Sequence, residues 1–232
     1  MTIRKAAVLT FVLCALATPA AGQVGHPPNR SPYTDLEFKQ EATFFTGYYN
    51  AADDPAGVLP RGGVMLGGRY DLRLGGPAYL SVKAAGVLSE RTVLDPAQPT
   101  ESRSLGSRSW PLVLADIGLS LNLTGQKSYR HLVPVIAASV GVASDFKNED
   151  VGQFKFGTPF ALSYGAGVKW VPGGRTQWRL DVTNYVHKVE YPDSYFIVSA
   201  SDGTRILRET TAQSFWKGNL AVTLGASYLF FR

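Results

Sequence analysis

The chain has 232 residues, of which 45% are hydrophobic, 12% are aromatic and only 18% are charged. A typical soluble domain carries about 25% charged residues, so this composition favours a chain with exposed apolar surface. The formal net charge of +5 is small and is not concentrated in any segment. Nucleic-acid binding needs a basic stripe or a recognition motif, so we expect no nucleic-acid partner.

The N-terminal residues have the pattern of a cleavable secretory signal peptide, predicted over residues 1–22. Arg4 and Lys5 supply the positive start, and residues 6–17 form an apolar core. This core is too short to cross a bilayer, which takes about 20 residues. Residues 23–37 contain three prolines and are predicted to form an extended periplasmic lead-in.

After the leader, the sequence has no apolar stretch of the roughly 20 residues that a transmembrane helix needs. Alternation with a period of two residues dominates instead, which indicates β-strands. It is clearest in residues 216–230, where large apolar side chains occupy the even positions and small or polar ones the odd positions. Seven further strands are predicted upstream, over 38–49, 63–74, 79–88, 112–122, 132–142, 160–170 and 177–187.

The connections between the predicted strands alternate between short turns and long loops. The short turns are 75–77, 124–130 and 172–175, and the long loops are 50–61, 90–109, 144–157 and 189–214. Short turns on one side and long loops on the other are typical of bacterial outer-membrane barrels. The last loop is itself predicted to hold a hairpin, with strands at 195–200 and 204–209.

Alternation alone does not say which face of the wall meets solvent, and a soluble lipocalin-like barrel is the alternative. The polar face is rich in Gly, Ala, Ser and Thr, which suit a narrow interior better than a hydrated exterior. Large rings also gather near the strand ends, where a membrane barrel has its aromatic girdles. The predicted girdle residues are Phe38, Tyr48, Trp110, Phe160, Trp170, Trp178, Trp216, Tyr228 and Phe230.

The chain resembles the small OmpA/OmpX-type outer-membrane barrels. The features that carry the resemblance are the signal peptide, eight alternating strands, three tight turns, four long loops and the C-terminal aromatic strand. The resemblance covers nearly all of the mature chain and is one of pattern. It implies an all-β fold, an eight-stranded antiparallel up-and-down transmembrane β-barrel over residues 38–232, in the Gram-negative outer membrane. It also implies outer-membrane lipid and lipopolysaccharide as partners, insertion by the barrel-assembly machinery, and a monomer.

Ten charged residues are predicted to point into the barrel. An eight-stranded barrel has an interior just wide enough for side chains, and buried charges are costly unless paired. Pairing across the lumen would make a plug, whereas unpaired charges would line a narrow ion path or gate. The ten are Glu41, Arg69, Asp71, Arg73, Lys83, Asp116, Lys169, Arg179, Asp181 and Lys217.

No catalytic constellation stands out. Asp181, Tyr185 and His187 share one face of the seventh strand, but no nucleophile accompanies them, and the last strands lack the His-x-Ser arrangement of lipid A acylases and deacylases. Three scattered histidines make no metal site, and we expect no cofactor. The acidic loop segments Asp53–Asp54 and 148–150 fit either weak calcium binding or solvated loop tips.

The leading hypothesis is therefore a non-enzymatic barrel with a structural or surface-interaction role. Loops on a rigid scaffold are where function is commonly found, and the four long loops are the candidates. The first alternative is a narrow channel for small or apolar solutes, resembling OmpW-type proteins. The second is a lipid A-modifying barrel enzyme.

Overall fold

The computed structural model describes residues 31–231. The predicted signal peptide and the first part of the lead-in, residues 23–30, lie outside the described residues. Within residues 31–231, the regular structure is twelve strands and one short 3₁₀ helix, Asp193–Tyr195, and no helix is long and apolar enough to cross a membrane. The strands are β1 (Tyr33–Asp35), β2 (Gln40–Asn50), β3 (Gly63–Gly75), β4 (Ala78–Leu88), β5 (Glu90–Leu94), β6 (Ser104–Ser109), β7 (Leu112–Asn122), β8 (Lys127–Tyr129), β9 (Leu132–Ser144), β10 (Phe160–Trp170), β11 (Thr176–Glu190) and β12 (Ser214–Phe230).

Eight of these strands form a closed antiparallel barrel, in the order β2, β3, β4, β7, β9, β10, β11 and β12. Each strand pairs with the next one in this order, and β12 pairs with β2 to close the wall. Closure gives every wall strand a partner on both sides, as a bilayer requires of the backbone. The predicted eight-stranded barrel is confirmed, with its first strand beginning at Gln40.

The wall carries its apolar side chains outward. In β11, Leu180 is 50% exposed, whereas the neighbouring Arg179 is 1% exposed. The same alternation of exposed apolar and buried polar or small residues runs through β10 and β12. A water-soluble barrel would bury the apolar face, so the exposed belt is the lipid-facing surface of a transmembrane barrel.

Two short pairings lie outside the wall. β5 and β6 form a hairpin in the second long connection, a segment predicted from the sequence only as a loop. β1 pairs with β8, which places the lead-in beside the turn between β7 and β9. We call residues 33–39, which run from β1 to the start of the barrel, the strap.

The strands predicted in the last loop, at 195–200 and 204–209, do not form. The segment still folds back on itself, because the Ser199 N–H donates to the Thr204 carbonyl oxygen (2.8 Å) and the Leu207 N–H to that of Tyr195 (2.9 Å). The Ser199 hydroxyl donates to the carbonyl oxygen of Ala97 (3.2 Å), and Asp202 also bonds to the second loop. Such side-chain hydrogen bonds compete with a backbone ladder. They tie the last loop to the connection that holds the β5–β6 hairpin.

Candidate functional site: the barrel lumen and the loop cap

The barrel interior is filled by two layers of side chains. The layer near the long loops is apolar and includes Phe45, Tyr49, Met65 and Tyr185. The layer towards the short turns is charged. The four long connections pack above the apolar layer around a second hydrophobic cluster, and we call them the loop cap (residues 51–62, 89–111, 145–159 and 191–213).

The centre of the charged layer is a chain of ion pairs around Asp71. This carboxylate lies 3.0 Å from the Arg69 Nε and 3.3 Å from an Arg179 Nη. Arg179 also contacts Asp181 through its Nε at 2.5 Å. The two carboxylates and two guanidinium groups are therefore paired as charges. Asp71 lies on β3 and Arg179 on β11, which are separated by β2 and β12 in the wall.

Two further pairs complete the layer. The Lys169 Nζ lies 2.7 Å from a Glu41 carboxylate oxygen, and the hydroxyl of Ser227 donates to the other oxygen at 2.9 Å. Lys83 lies 3.3 Å from Asp116. Eight of the ten predicted inward charges are thus in ion pairs inside the barrel.

The remaining two inward charges have other surroundings. Arg73 lies near the short-turn end, where its Nη2 donates to the carbonyl oxygens of Leu36 and Phe38 at 2.6 Å each. Lys217 lies at the opposite end, buried under the loop cap, and no hydrogen-bond acceptor for its ammonium group is found among the described residues. Two voids between the packed side chains each have a volume of about 10 Å³, roughly the space of one water molecule.

In the loop cap, Arg91 joins the second and third loops. It is fully buried, its Nη2 lies 2.6 Å from Asp150, and its guanidinium lies over the rings of Trp110 (4.3 Å) and Phe154 (5.0 Å). Cations over aromatic faces are stabilised most when they are desolvated. The Asp150 carboxylate also accepts hydrogen bonds from the backbone of its own loop, so this acid has a structural role in the cap.

Asp54 plays a similar part in the first loop. Its carboxylate accepts backbone hydrogen bonds from Ala56, Val58 and Leu59, and a hydrogen bond from the Tyr191 hydroxyl. Burial and the neighbouring carboxylate raise the pKa of Tyr191, so this phenol stays a hydrogen-bond donor. Two of the acids that fit a calcium site in the sequence, Asp54 and Asp150, therefore hold loops together.

The tips of the second and fourth loops are joined through Asp202. Its carboxylate accepts hydrogen bonds from the backbone N–H and the hydroxyl of Thr100, at 2.7 and 2.9 Å, and from Thr204. Arg103 lies 3.7 Å away. These hydrogen bonds lower the pKa of Asp202 below the usual value for an aspartate.

The predicted girdle residues fall into two groups. Seven are outward-facing residues of barrel strands near their ends: Tyr48, Phe160, Trp170, Trp178, Trp216, Tyr228 and Phe230. Phe38 instead belongs to the strap at the barrel mouth, and Trp110 packs beneath Arg91 and donates its Nε1–H to Asp145 (2.7 Å). Phe146 was not predicted, yet it is 76% exposed just beyond the end of β9.

The set of Asp181, Tyr185 and His187 is not brought together as a site. Asp181 pairs with Arg179 in the charged layer, whereas His187 lies under the cap, with its Nε2 3.0 Å from the Asn219 amide nitrogen. The Phe156 ring packs nearly perpendicular to the imidazole (79°), with the ring centroids 5.3 Å apart. Among residues 31–231, no cluster of three or more His, Cys, Asp or Glu could hold a metal ion.

No protein-family model matches the chain, and no curated protein matches it either. Among solved structures it is similar to the outer membrane protein OprG from Pseudomonas aeruginosa, with a TM-score of 0.53 and 10% identity over 85% of this chain and 99% of that one. It is also similar to the N-terminal β-barrel domain of Pseudomonas aeruginosa OprF (TM-score 0.48, 11% identity, 83% and 98% of the two chains). The likeness to OprG shows the fold, which is that of an outer-membrane β-barrel, as the sequence resemblance implied.

Proposed function

We propose that this protein is a closed, non-enzymatic barrel of the outer membrane that holds a folded loop cap at the cell surface as an interaction site. The observation that carries the proposal is the layer of ion pairs around Asp71 and Arg179, which occupies the lumen between the strap and the apolar layer. A barrel filled in this way serves as a rigid support for the cap.

The cap has the character of a surface built to contact other molecules. Its base is a packed cluster with buried Tyr191, Tyr195 and Phe154, so its loops hold a fixed shape. Val151 and Ile197 are nevertheless about two-thirds exposed on the outside of this cluster. A contiguous apolar patch marks a contact site, whereas single exposed apolar residues do not, so Val151 and Ile197 are the positions at which to test the cap. Lipid and lipopolysaccharide of the outer leaflet are the partners we propose for the belt below the cap.

Planar-bilayer recording tests whether the barrel is closed. The purified protein should give no steady single-channel current, because the charged and apolar layers both fill the lumen. The double variant Arg179→Ala/Tyr185→Ala removes one large side chain from each layer and should conduct. Steady currents from the unmodified protein would support the narrow-channel alternative instead.

The interaction role is tested on cells that display the protein. Replacement of Val151 and Ile197 by Ser should lower cell–cell aggregation or adhesion to coated surfaces. The control, replacement of Val182 on the lipid-facing wall by Ser, should leave aggregation and adhesion unchanged. Mass spectrometry of lipid A from cells with and without the protein tests the enzymatic alternative. An altered lipid A profile would contradict the non-enzymatic proposal.

A further inference from the structure

A cavity of about 230 Å³ lies at the short-turn end of the barrel, opposite the loop cap. The strap forms one side of it, and the Glu41–Lys169 ion pair lines it from within the lumen. β7 and β11 contribute Asn122 and Gln177 to its wall. In outer-membrane barrels the short turns face the periplasm, so the cavity opens towards that compartment.

The strap that covers this cavity is fixed by hydrogen bonds. Arg73 donates to the carbonyl oxygens of Leu36 and Phe38, and the Leu36 N–H donates to the carbonyl oxygen of Gln126 (2.8 Å). The Arg73 guanidinium also lies over the ring of Tyr79, with its carbon 5.7 Å from the ring centroid. One inward charge therefore holds the strap in place, and the cavity is a built part of the fold.

The wall of the cavity contains buried amide groups without partners. Asn122 and Gln177 are 2% and 3% exposed, and among the described residues neither amide atom of Asn122 nor the Gln177 Nε2 has a hydrogen-bond partner. Buried polar groups are nearly always hydrogen-bonded, and a wall that only sealed the barrel would be better made of apolar side chains. The cavity lining also includes ionisable groups. Glu41 and Lys169 neutralise each other inside the lumen, and Asp35 lies 3.8 Å from Lys127. The remaining acid, Glu37, belongs to the strap, so the lining does not favour an anion.

We propose that this cavity binds a compact, neutral solute with several hydroxyl groups, of about the size of one sugar ring. A hydroxyl group both donates and accepts, so it can satisfy either end of an amide side chain once that side chain turns from its buried position into the cavity. Pockets for drug-sized ligands measure roughly 300–1,000 Å³, and the smaller volume here restricts the occupant to a single ring. The proposal goes beyond the cap and the closed lumen, since it assigns a ligand to the periplasmic mouth.

The test is a titration of the full mature chain, folded in detergent micelles, with D-glucose. The side-chain NH₂ signals of Asn122 and Gln177 in an amide NMR spectrum should shift and saturate at millimolar glucose. Gluconate, which carries a negative charge, should bind less tightly. Gln177→Ala should weaken glucose binding about fivefold, as expected for the loss of one hydrogen bond.

Asn184→Ala is the matched control, because the Asn184 amide lies on the lipid-facing wall and donates to the hydroxyl of Tyr164. Its loss should leave the glucose affinity unchanged. If Gln177→Ala fails to fold, Asn122→Ser carries the same test. Shifts that do not saturate, or an affinity that Gln177→Ala and Asn122→Ser leave unchanged, would show that the cavity holds water only and overturn the proposal.

Discussion

Asp71 illustrates how much of this structure depends on single side chains inside the barrel. It is fully buried between Arg69 and Arg179, and a buried charge is stable only when paired. We predict that Asp71→Asn leaves both guanidinium groups short of a counter-charge and lowers the free energy of unfolding by about 3–5 kcal/mol. Urea unfolding of the protein in lipid vesicles, followed by tryptophan fluorescence, measures this change.

The control for this prediction is Asp35→Asn. Asp35 lies 3.8 Å from Lys127, and both side chains are largely exposed outside the wall. Exposed pairs contribute about 0–1 kcal/mol, so this variant should unfold nearly as the parent does. An equally large loss in both variants would mean that overall charge, and not burial in the lumen, sets the stability.

At the residue level, the period-two pattern predicts which charges point inward but carries no information on how they pair. Asp71 and Arg179 are far apart in sequence and meet only because the closed barrel brings their strands to opposite sides of a narrow lumen. Trp110 was predicted in a girdle because it lies next to a strand end. Its ring packs instead under Arg91, a contact that depends on loop structure without a periodic pattern.

The structural elements outside the wall depend on a few buried contacts between loops. Arg91, on β5, binds Asp150 of the third loop and lies over two aromatic rings. We predict that Arg91→Met leaves Asp150 buried without its cation, which costs about 3–5 kcal/mol. Because the barrel has its own packed interior, the loss should be confined to the cap. Limited proteolysis should cut residues 89–111 at least a hundredfold faster.

Arg205→Met is the matched control for this variant. Arg205 is also in the cap, but it pairs with Glu209 at its surface, where an ion pair contributes little. The loops of the Arg205→Met variant should resist protease as well as those of the parent. Unchanged cleavage in Arg91→Met would show that the cap does not depend on this buried cation.

The junction between the tips of the second and fourth loops is predicted to be sensitive to acid. The pKa of Asp202 is lowered by hydrogen bonds from Thr100 and Thr204, so the folded cap favours the ionised carboxylate. The resulting stabilisation is fully present above about pH 4, the ordinary value for an aspartate, and is lost as the pH falls towards the lowered value. The hydrogen-exchange protection factors of the two loop tips, corrected for the intrinsic pH dependence of amide exchange, should therefore fall at low pH.

Asp202→Asn identifies the group responsible for this acid effect. The amide keeps the shape of the side chain but does not titrate in this range. The protection factors at the loop tips should therefore be lower than in the parent at neutral pH and should change little on acidification. A steep acid response in the variant would assign the effect to another group in the cap.

At the level of elements, the wall was predictable and the loops were not. Each barrel strand has a lipid-facing side and a lumen-facing side, so its sequence carries the alternation that predicted all eight. The β5–β6 hairpin and the β1–β8 pair have no such constraint. Ser201, Asp202 and Gly203 favour a local turn in the last loop, and backbone hydrogen bonds do cross it. The hydroxyl of Ser201 and the carboxylate of Asp202 also bond to the second loop, and no strand ladder follows the turn.

The whole molecule consists of a barrel that spans the bilayer and a cap that stands above it. Trp170 and Trp178 are register partners near the short turns, and Trp216 faces outward near the loops. Trp110 lies in the cap above the wall. The four tryptophans therefore surround the hydrocarbon layer and none lies at its centre, as expected of rings at the two membrane interfaces.

This arrangement predicts how lipids quench the tryptophan fluorescence of the folded protein. Bromine atoms placed on acyl chains close to the headgroup should quench more strongly than bromine atoms near the chain ends, because the rings lie at interfacial depth. Trp178→Phe and Trp216→Phe should each remove part of this quenching, from opposite sides of the bilayer. The strongest quenching from the chain ends would place the rings at the bilayer midplane, and the assignment of the barrel's membrane-spanning region would then be incorrect.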